Sequence, residues 1–182
     1  VAGRDAAKAE RVAAALRALP GAGPVDVLVG DLASLASVRA MAADFDARFP
    51  ALHVLVNNAG AFFLERGVSV DGYELTLAVN HLGPYLLTRL LLPALERGAP
   101  SRVVNVSSDG HRAGRVDFDD LQLERGWASF RAYAASKLMN VLFTRELARR
   151  LEGKGVTVNA LHPGAVASDF MKKPGWKGAL GG

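Results

Sequence analysis

The sequence lacks several residue types and patterns, and each absence excludes a class of protein. It has no cysteine among 182 residues, which excludes a disulfide framework, a thiolate metal site and a cysteine nucleophile. Aromatic residues make up only 7%, so the core must consist mainly of Ala, Val and Leu. The richest apolar run, Leu86 to Leu95, is interrupted by Arg89 and Pro93 and is far shorter than the roughly 18 residues of a membrane span. We therefore expect no membrane segment in this chain.

The charge is mild and evenly distributed. The 22 basic and 18 acidic residues give a net charge of +4, and the arginines are scattered along the chain instead of clustered. A nucleic-acid partner requires a basic patch, so we expect none, and we expect no metal site. The length suits a single domain covering residues 1–182, and the expected location is cytoplasmic.

Short apolar runs alternate with longer helical patterns. Runs of about five residues have the length and composition of strands that are buried on both faces of a parallel sheet. They are Val25 to Val29, Leu52 to Val56, Arg102 to Val106 and Val156 to Leu161. Helical patterns cover Asp5 to Leu19, Leu35 to Phe49, Val70 to Leu95 and Tyr133 to Leu151. This alternation predicts β-α-β units in an α/β fold with a doubly wound parallel sheet.

The motif Tyr133-Ala-Ala-Ser-Lys137 carries the strongest chemical signal. Residues four apart share one face of a helix, so the phenol and the ammonium can point into the same cleft. A phenol is a poor acid–base catalyst at neutral pH, but a nearby ammonium favours the phenolate and lowers its pKa. The pair alone does not decide the function, because an exposed polar helix face gives the same spacing equally often.

Three other polar groups flank the predicted strands or lie near them. Ser107-Ser108 follows one strand, Asn57-Asn58-Ala59-Gly60 follows another, and Asn80 lies within the long helical pattern. Ligands of open α/β sheets bind outside the carboxyl ends of the strands, where two of these groups lie. Each group also has a structural interpretation: turn residues for the paired asparagines, a cap for Ser108, and a buried amide for Asn80.

The chain carries these motifs within a longer ordered series. The series comprises Gly3-Arg4-Asp5, Asp31-Leu32-Ala33-Ser34, Asn57-Asn58-Ala59-Gly60, Val79-Asn80-His81-Leu82-Gly83, Arg102 to Ser108, Phe118-Asp-Asp-Leu121, Tyr133 to Lys137 and Leu161-His162-Pro163-Gly164. It resembles the short-chain dehydrogenases/reductases over nearly the whole chain. The Phe-Asp-Asp-Leu segment and the long step from Ser108 to Tyr133 resemble the retinol-dehydrogenase-like branch, which also includes the WW-domain-containing oxidoreductase.

The resemblance implies hydride transfer between NADP(H) and an alcohol or carbonyl substrate of apolar character. It makes Tyr133 the general acid or base at the substrate oxygen, while Lys137 would activate the phenol and bind the nicotinamide ribose. Ser108 would hold the substrate oxygen, in preference to Ser107, because of the family's register and because strand alternation sends the two hydroxyls to opposite faces. Asn80 would anchor a water that relays protons to Lys137.

The resemblance also implies how the cofactor binds. Asp31 and Leu32 would flank the adenine, and Asn58, Ala59 and Gly60 would line its ribose and the adjoining phosphate. The nicotinamide and its ribose would contact Tyr133, Lys137, Pro163, Gly164 and Val166. Arg4 follows a strand end at which a guanidinium can pair with a 2′-phosphate, whereas an acidic residue there would bind the free hydroxyl of NAD. We therefore expect NADP, with NAD as the alternative because Asp5 is the next residue.

The chain departs from the family in one respect, since no Gly-x-x-x-Gly-x-Gly lies between a strand and a helix. Val1-Ala2-Gly3 has the pattern of a strand end, and the family's central first strand and phosphate loop have no counterpart before it. We therefore expect a partial Rossmann-like domain with a gap in its sheet. The alternative function is a non-catalytic fragment or interaction module, and a homo-oligomer is a further expectation because many relatives pair through their long helices.

The missing phosphate loop predicts that the 182-residue chain alone does not retain NADPH. A pyrophosphate is anionic and normally rests on backbone N–H groups at a helix N-terminus, and Arg4 cannot replace such a cradle. Calorimetric titration of the purified chain with NADPH should show no binding at micromolar concentration. A clear micromolar Kd would show instead that another segment supplies the phosphate site.

Overall fold

The computed structural model describes residues 1–164, and strands alternate with helices along this part of the chain. The strands are β1 (Ala2–Gly3), β2 (Leu28–Val29), β3 (Val54–Asn57), β4 (Ser101–Val106) and β5 (Val156–Leu161). The helices are α1 (Ala6–Arg17), α2 (Leu35–Arg48), α3 (Leu75–Leu77), α4 (Gly83–Arg97) and α5 (Ser129–Arg150). A π-helical turn at Ala78–Leu82 joins α3 to α4, and a 3-10 turn at Asp109–Ala113 follows β4.

The strands form two parallel sheets. β1 pairs with β2, and β3, β4 and β5 form a second sheet in that order. Between residues 1 and 164 no strand joins the two sheets, so the gap predicted from the sequence is present. The predicted α/β class with a parallel sheet is confirmed. Because the strands of each sheet run in the same direction, the carboxyl ends of β3, β4 and β5 lie along one edge.

The helical pattern predicted over Val70 to Leu95 differs from the observed structure at its start. Helix begins only at Leu75, because a turn around Gly72, whose φ is 83°, pairs Val68 with Glu74 in an antiparallel bridge. The Glu74 carboxylate then caps the helix by accepting from the N–H of Leu77 at 2.7 Å. The prediction of one continuous helix is therefore wrong at its first turn and at the π-helical turn.

The first sheet is shorter than predicted. Of the run Val25 to Val29, only the last two residues form β2. Its partner β1 ends at Gly3 because Asp5 begins α1, with its carboxylate accepting from the N–H of Lys8 at 2.8 Å. Since a strand needs a partner to remain extended in a sheet, the early helix limits both strands.

The hydrophobic core lies on one face of the β3–β4–β5 sheet, against α2, α4 and α5. One buried cluster consists of Leu95, Val103, Leu147, Leu151, Val156 and Val158, and a second consists of Ala42, Phe45, Leu91 and Ala94. On the opposite face of the sheet, Val54 and Val56 are 47% and 54% exposed. The part of the chain that the structure describes thus covers this face of β3 incompletely.

A line of buried polar side chains crosses the core. Asn57 Nδ2 donates to Thr88 Oγ1 at 2.9 Å and to Asn105 Oδ1 at 2.8 Å. Asn105 Nδ2 donates to Thr144 Oγ1 at 2.9 Å, and this hydroxyl donates to the carbonyl of Asn140 at 2.7 Å. The line connects α4, β3, β4 and α5. Over residues 1–164, every buried side-chain nitrogen and oxygen has a hydrogen-bond partner.

None of the helices within this range combines the length and the apolar character that crossing a membrane requires. The same residues contain no group of three His, Asp or Glu side chains suited to holding a metal ion.

Candidate active site

Helix α5 brings Tyr133 and Lys137 to the carboxyl end of β4. Lys137 is only 4% exposed, and its ammonium donates to the carbonyl of Val106, the last residue of β4, at 3.0 Å. The same ammonium lies 5.6 Å from the centroid of the Tyr133 ring. The spacing of four residues therefore directs both groups into one cleft, and Lys137 ties α5 to the end of the strand.

Burial controls the charge of Lys137. Desolvation lowers the pKa of its ammonium from 10.5 to about 8, because a charged group loses hydration when it is buried. Its hydrogen-bond partner is a carbonyl dipole, which stabilises a cation less than a carboxylate would. The side chain therefore carries a proton at neutral pH and releases it more readily than an exposed lysine does.

The two serines after β4 point in different directions, as strand alternation predicts. Ser107 is buried and donates to the carbonyl of Lys137 at 2.9 Å, so it fastens β4 to α5. Ser108 Oγ accepts from the N–H of Gly110 at 3.2 Å. A methyl group on Gly110 would lie 3.5 Å from both Ser108 Oγ and the Tyr133 ring. Ser108 and Tyr133 therefore line the same small space.

Asn80 is buried, and its side-chain amide joins two parts of the site. Its Oδ1 accepts from the N–H of Ala61 at 2.8 Å, and its Nδ2 donates to the carbonyl of Ala61 at 2.9 Å. The Nδ2 also donates to Ser136 Oγ at 3.1 Å, and that hydroxyl donates to the carbonyl of Tyr133 at 2.7 Å. Asn80 therefore holds the loop after β3 against α5. The sequence motifs did not identify Ser136 as a site residue, although it lies inside the Tyr-x-x-Ser-Lys motif.

The loop after β3 approaches the catalytic candidates through Gly60. A Cβ at this position would lie 3.4 Å from Lys137 Nζ and 3.5 Å from Asn80 Oδ1. The absence of a side chain at Gly60 leaves a niche beside the ammonium. Asn58 and Ala59 are exposed just before it, at the carboxyl end of β3.

The other predicted cofactor residues lie at further strand ends. Asp31 and Leu32 follow β2, where Asp31 Oδ1 accepts from the N–H of Ala33 at 2.9 Å. Leu32 packs against the start of α4, since a Cβ on Gly83 would lie 2.6 Å from the Leu32 carbonyl oxygen. Pro163 and Gly164 follow β5 and are exposed. Val166 lies outside the described residues.

Arg4 and Asp5 follow β1 and have different surroundings. Arg4 is exposed after the strand, whereas the Asp5 carboxylate is the N-cap of α1. A capping carboxylate is engaged by backbone N–H groups, which reduces its capacity to bind a ribose hydroxyl.

Aromatic rings flank the cleft, and the sequence motifs did not indicate them. The Phe62 ring lies 5.4 Å from the Tyr133 ring, centroid to centroid, at an angle of 59°. A methyl group on Gly110 would lie 3.8 Å from the Phe130 ring, which is 54% exposed. The surroundings of the Tyr133 phenol are therefore partly apolar. The position of Phe62 directly after Asn58 to Ala61 is the one sequence signal that points to it.

Comparison with known proteins identifies the family of this chain. A family model described as short chain dehydrogenase matches residues 1–175. Retinol dehydrogenase 11 of Mus musculus is 47% identical over 169 residues, covering 93% of this chain and 54% of that protein. Retinol dehydrogenase 12 of Homo sapiens is 48% identical over 172 residues, covering 94% of this chain and 54% of that protein. The chain thus spans about half the length of the curated relatives it matches.

Solved structures give the same result. A crystal structure of an uncharacterised protein from Mycobacterium paratuberculosis superimposes with a TM-score of 0.79 at 41% identity, covering 94% of this chain and 60% of that one. The Pseudomonas aeruginosa RhlG/NADP complex superimposes with a TM-score of 0.72 at 28% identity, covering 94% of this chain and 64% of that one. The fold and the matches together define the class, a Rossmann-like α/β domain. The chain belongs to the short-chain dehydrogenase family, and its similarity to the retinol dehydrogenases is confirmed.

The burial of Lys137 gives a direct prediction for its titration. With uniformly ¹³C-labelled lysine, the Cε signal of Lys137 should move with an apparent pKa of about 8, because desolvation disfavours the ammonium. Lys137→Met should remove this signal, which assigns it. A Lys137 signal that titrates like that of a free lysine, near 10.4, would show that the ammonium is hydrated and not buried.

Proposed function

We propose that the chain supplies the catalytic half of an NADP-dependent oxidoreductase that interconverts an apolar alcohol and its carbonyl compound. The observation that carries the proposal is the convergence of Tyr133, the buried Lys137 and Ser108 at the carboxyl end of β4. Three groups with complementary roles in carbonyl chemistry thus line one cleft. The retinol dehydrogenases among the relatives and the aromatic rings of Phe62 and Phe130 support an apolar substrate.

The proton step belongs to Tyr133. In the reductive direction its hydroxyl donates a proton to the carbonyl oxygen of the substrate, and in the oxidative direction the phenolate removes the proton of the alcohol. The Lys137 ammonium, 5.6 Å from the ring centroid, stabilises the phenolate by its charge. Since the pKa of Lys137 is about 8, most of this lysine carries its positive charge at neutral pH.

Ser108 and Asn80 support this step differently. The Ser108 hydroxyl is close enough to the Tyr133 ring to donate a hydrogen bond to the same substrate oxygen, where it stabilises developing negative charge. The Asn80 amide is fully engaged with Ala61 and Ser136. We therefore assign its side chain to holding the loop and the helix together, and we keep the proposal that Asn80 anchors a water that relays protons to Lys137.

The residues of the cleft fit the nicotinamide half of a dinucleotide. Because a Cβ on Gly60 would lie 3.4 Å from Lys137 Nζ, the glycine leaves space in which a ribose hydroxyl could contact the ammonium. Pro163 and Gly164 follow the neighbouring strand. When bound, the nicotinamide supplies or accepts the hydride. At the other half, Asp31, Leu32, Asn58 and Ala59 follow strand ends, and Arg4 provides a cation for a 2′-phosphate.

The alternative function, a non-catalytic module that keeps the fold, has one observation in its favour: the sequence carries no glycine-rich phosphate loop. Kinetic tests of the proposal therefore use a protein that joins this chain to such a loop.

The first kinetic test is Tyr133→Phe, which removes the transferable proton and keeps the ring. We expect kcat to fall by at least about 100-fold, the scale of general acid–base catalysis, with the Kd of NADPH little changed. Tyr85→Phe is the matched control, because Tyr85 lies on α4 and is 40% exposed. Near-normal turnover in Tyr133→Phe would refute the assignment.

The second test concerns the cofactor. Arg4→Ala should weaken NADPH binding by about 1.5–3 kcal/mol, the value of a hydrogen bond to a charged group, and leave NADH binding nearly unchanged. Arg11→Ala, an exposed arginine of α1, serves as the control for general loss of positive charge. Equal losses for both cofactors would mean that Arg4 has a structural role only. Binding is measured by calorimetric titration with each dinucleotide.

A further inference from the structure

Pro84, near the start of α4, cannot donate the backbone hydrogen bond of a regular α-helix. In an α-helix the carbonyl of residue i accepts from the N–H of residue i+4. For Asn80 that residue is Pro84, which has no N–H. The Asn80 carbonyl lies in the buried turn, where an unpaired acceptor is costly. A donor from another element can therefore take the place of the missing α-helical donor to the Asn80 carbonyl.

Asn140 of α5 supplies this donor. Its Nδ2 donates to the Asn80 carbonyl at 3.0 Å, and both residues are buried. Because a carbonyl can only accept, the nitrogen of the Asn140 amide must face Asn80, and its Oδ1 must face the opposite way. That Oδ1 lies 3.0 Å from His81 Nδ1. His81 must therefore carry a proton on Nδ1, and burial lowers the pKa of this imidazole, so the neutral Nδ1–H form satisfies the contact.

The helical spacing joins this contact to the catalytic candidates. Ser136 and Asn140 are four residues apart on α5, so they lie on one face of the helix. Ser136 Oγ accepts from the side chain of Asn80, and Asn140 donates to the main chain of the same residue. Helix α5 thus holds Asn80 through both its side chain and its main chain. The other hydrogen bonds of the Asn80 side chain fix Ala61, the residue after Gly60.

We propose that Asn140 is a positioning residue, which replaces the backbone donor that Pro84 lacks and thereby sets the place of Asn80 between the loop after β3 and helix α5. Its effect on catalysis rests on the proposed function, whereas its effect on Asn80 does not. The substitution that tests this role is Asn140→Leu, which keeps the branched shape of the side chain and removes both the donor to Asn80 and the acceptor for His81 Nδ1. A hydrogen bond worth about 1.4 kcal/mol corresponds to a factor of ten, which sets the scale of the expected changes.

The matched control is Thr144→Val. Thr144 lies one turn further along the same face of α5, is equally buried, and belongs to the same polar line through its contacts with Asn140 and Asn105. Its hydrogen bonds go to Asn105 and to the carbonyl of Asn140, and within residues 1–164 none joins it to Asn80 or His81. Both variants should lower the melting temperature, and only Asn140→Leu should disturb the turn.

The decisive measurement is hydrogen exchange at the amide of Ala61, which donates to Asn80 Oδ1. In Asn140→Leu this amide should exchange about tenfold faster, and in Thr144→Val it should not. The double variant Pro84→Ala/Asn140→Leu restores an N–H at residue 84, so exchange should return to within about threefold of the original rate. Unaltered exchange in Asn140→Leu, or no rescue by Pro84→Ala, would overturn the proposal.

The kinetic arm follows the same variants in the protein that carries a phosphate loop. Asn140→Leu should lower kcat about tenfold with little change in KM, and Pro84→Ala should restore kcat in parallel with amide exchange. If the unaltered protein reduces no carbonyl compound, the proposed function fails, and amide exchange alone decides on Asn140. If the protein is active and kcat does not follow exchange, Asn140 has no positioning role in catalysis.

Discussion

The fold depends on a single constraint, the pairing of every polar group that the core encloses. Asn57 and Asn105 project from adjacent strands into a region where most proteins place aliphatic side chains, and each must find partners there. They find them in Thr88 of α4 and Thr144 of α5. An unpaired buried amide costs on the order of 1–3 kcal/mol, so α4, β3, β4 and α5 have only a few relative positions in which the line is satisfied. Apolar contacts such as that between Leu95 and Val103 then supply the bulk of the burial.

The same pairing of polar groups also holds together the elements that carry the site. Ser107 fastens β4 to α5, Lys137 reaches the end of β4, and Asn80 connects α5 to the loop after β3. These bonds measure 2.9, 3.0 and 3.1 Å, and each joins elements that are far apart in sequence. Tyr133 and Ser108 are therefore carried by a framework whose geometry is set by other residues. Preorganised groups of this kind stabilise developing charge without first reorganising.

The sequence predicted most of what periodicity and local chemistry determine. The runs of β-branched residues predicted the bounds of β4 and β5 to within one residue. The spacing of Tyr133 and Lys137 correctly indicated a shared helix face. Features that depend on distant partners were not predictable in this way. The hairpin that pairs Val68 with Glu74 interrupts an otherwise helical pattern, and the shortness of β2 follows from the cap at Asp5. Asn140 resembles any polar residue of a helix until the missing donor at Pro84 is considered.

The π-helical turn at Ala78–Leu82 also limits how this stretch of the chain can vary in length. In a regular α-helix each added or removed residue rotates everything beyond it by about 100°, whereas a π-helical turn holds one residue more than an α-helical turn and absorbs such a change locally. With one residue fewer, this turn would close as an ordinary α-helical turn, so Leu91 and Leu95 could stay in the core but Asn80 would lose the wider turn that directs its side chain to Ala61. Substitutions between Leu77 and Pro84 therefore alter individual contacts, whereas an insertion or deletion there changes the turn that places Asn80 between the loop after β3 and helix α5. In an alignment of proteins that share this arrangement, the segment should be free of gaps even where its residues differ.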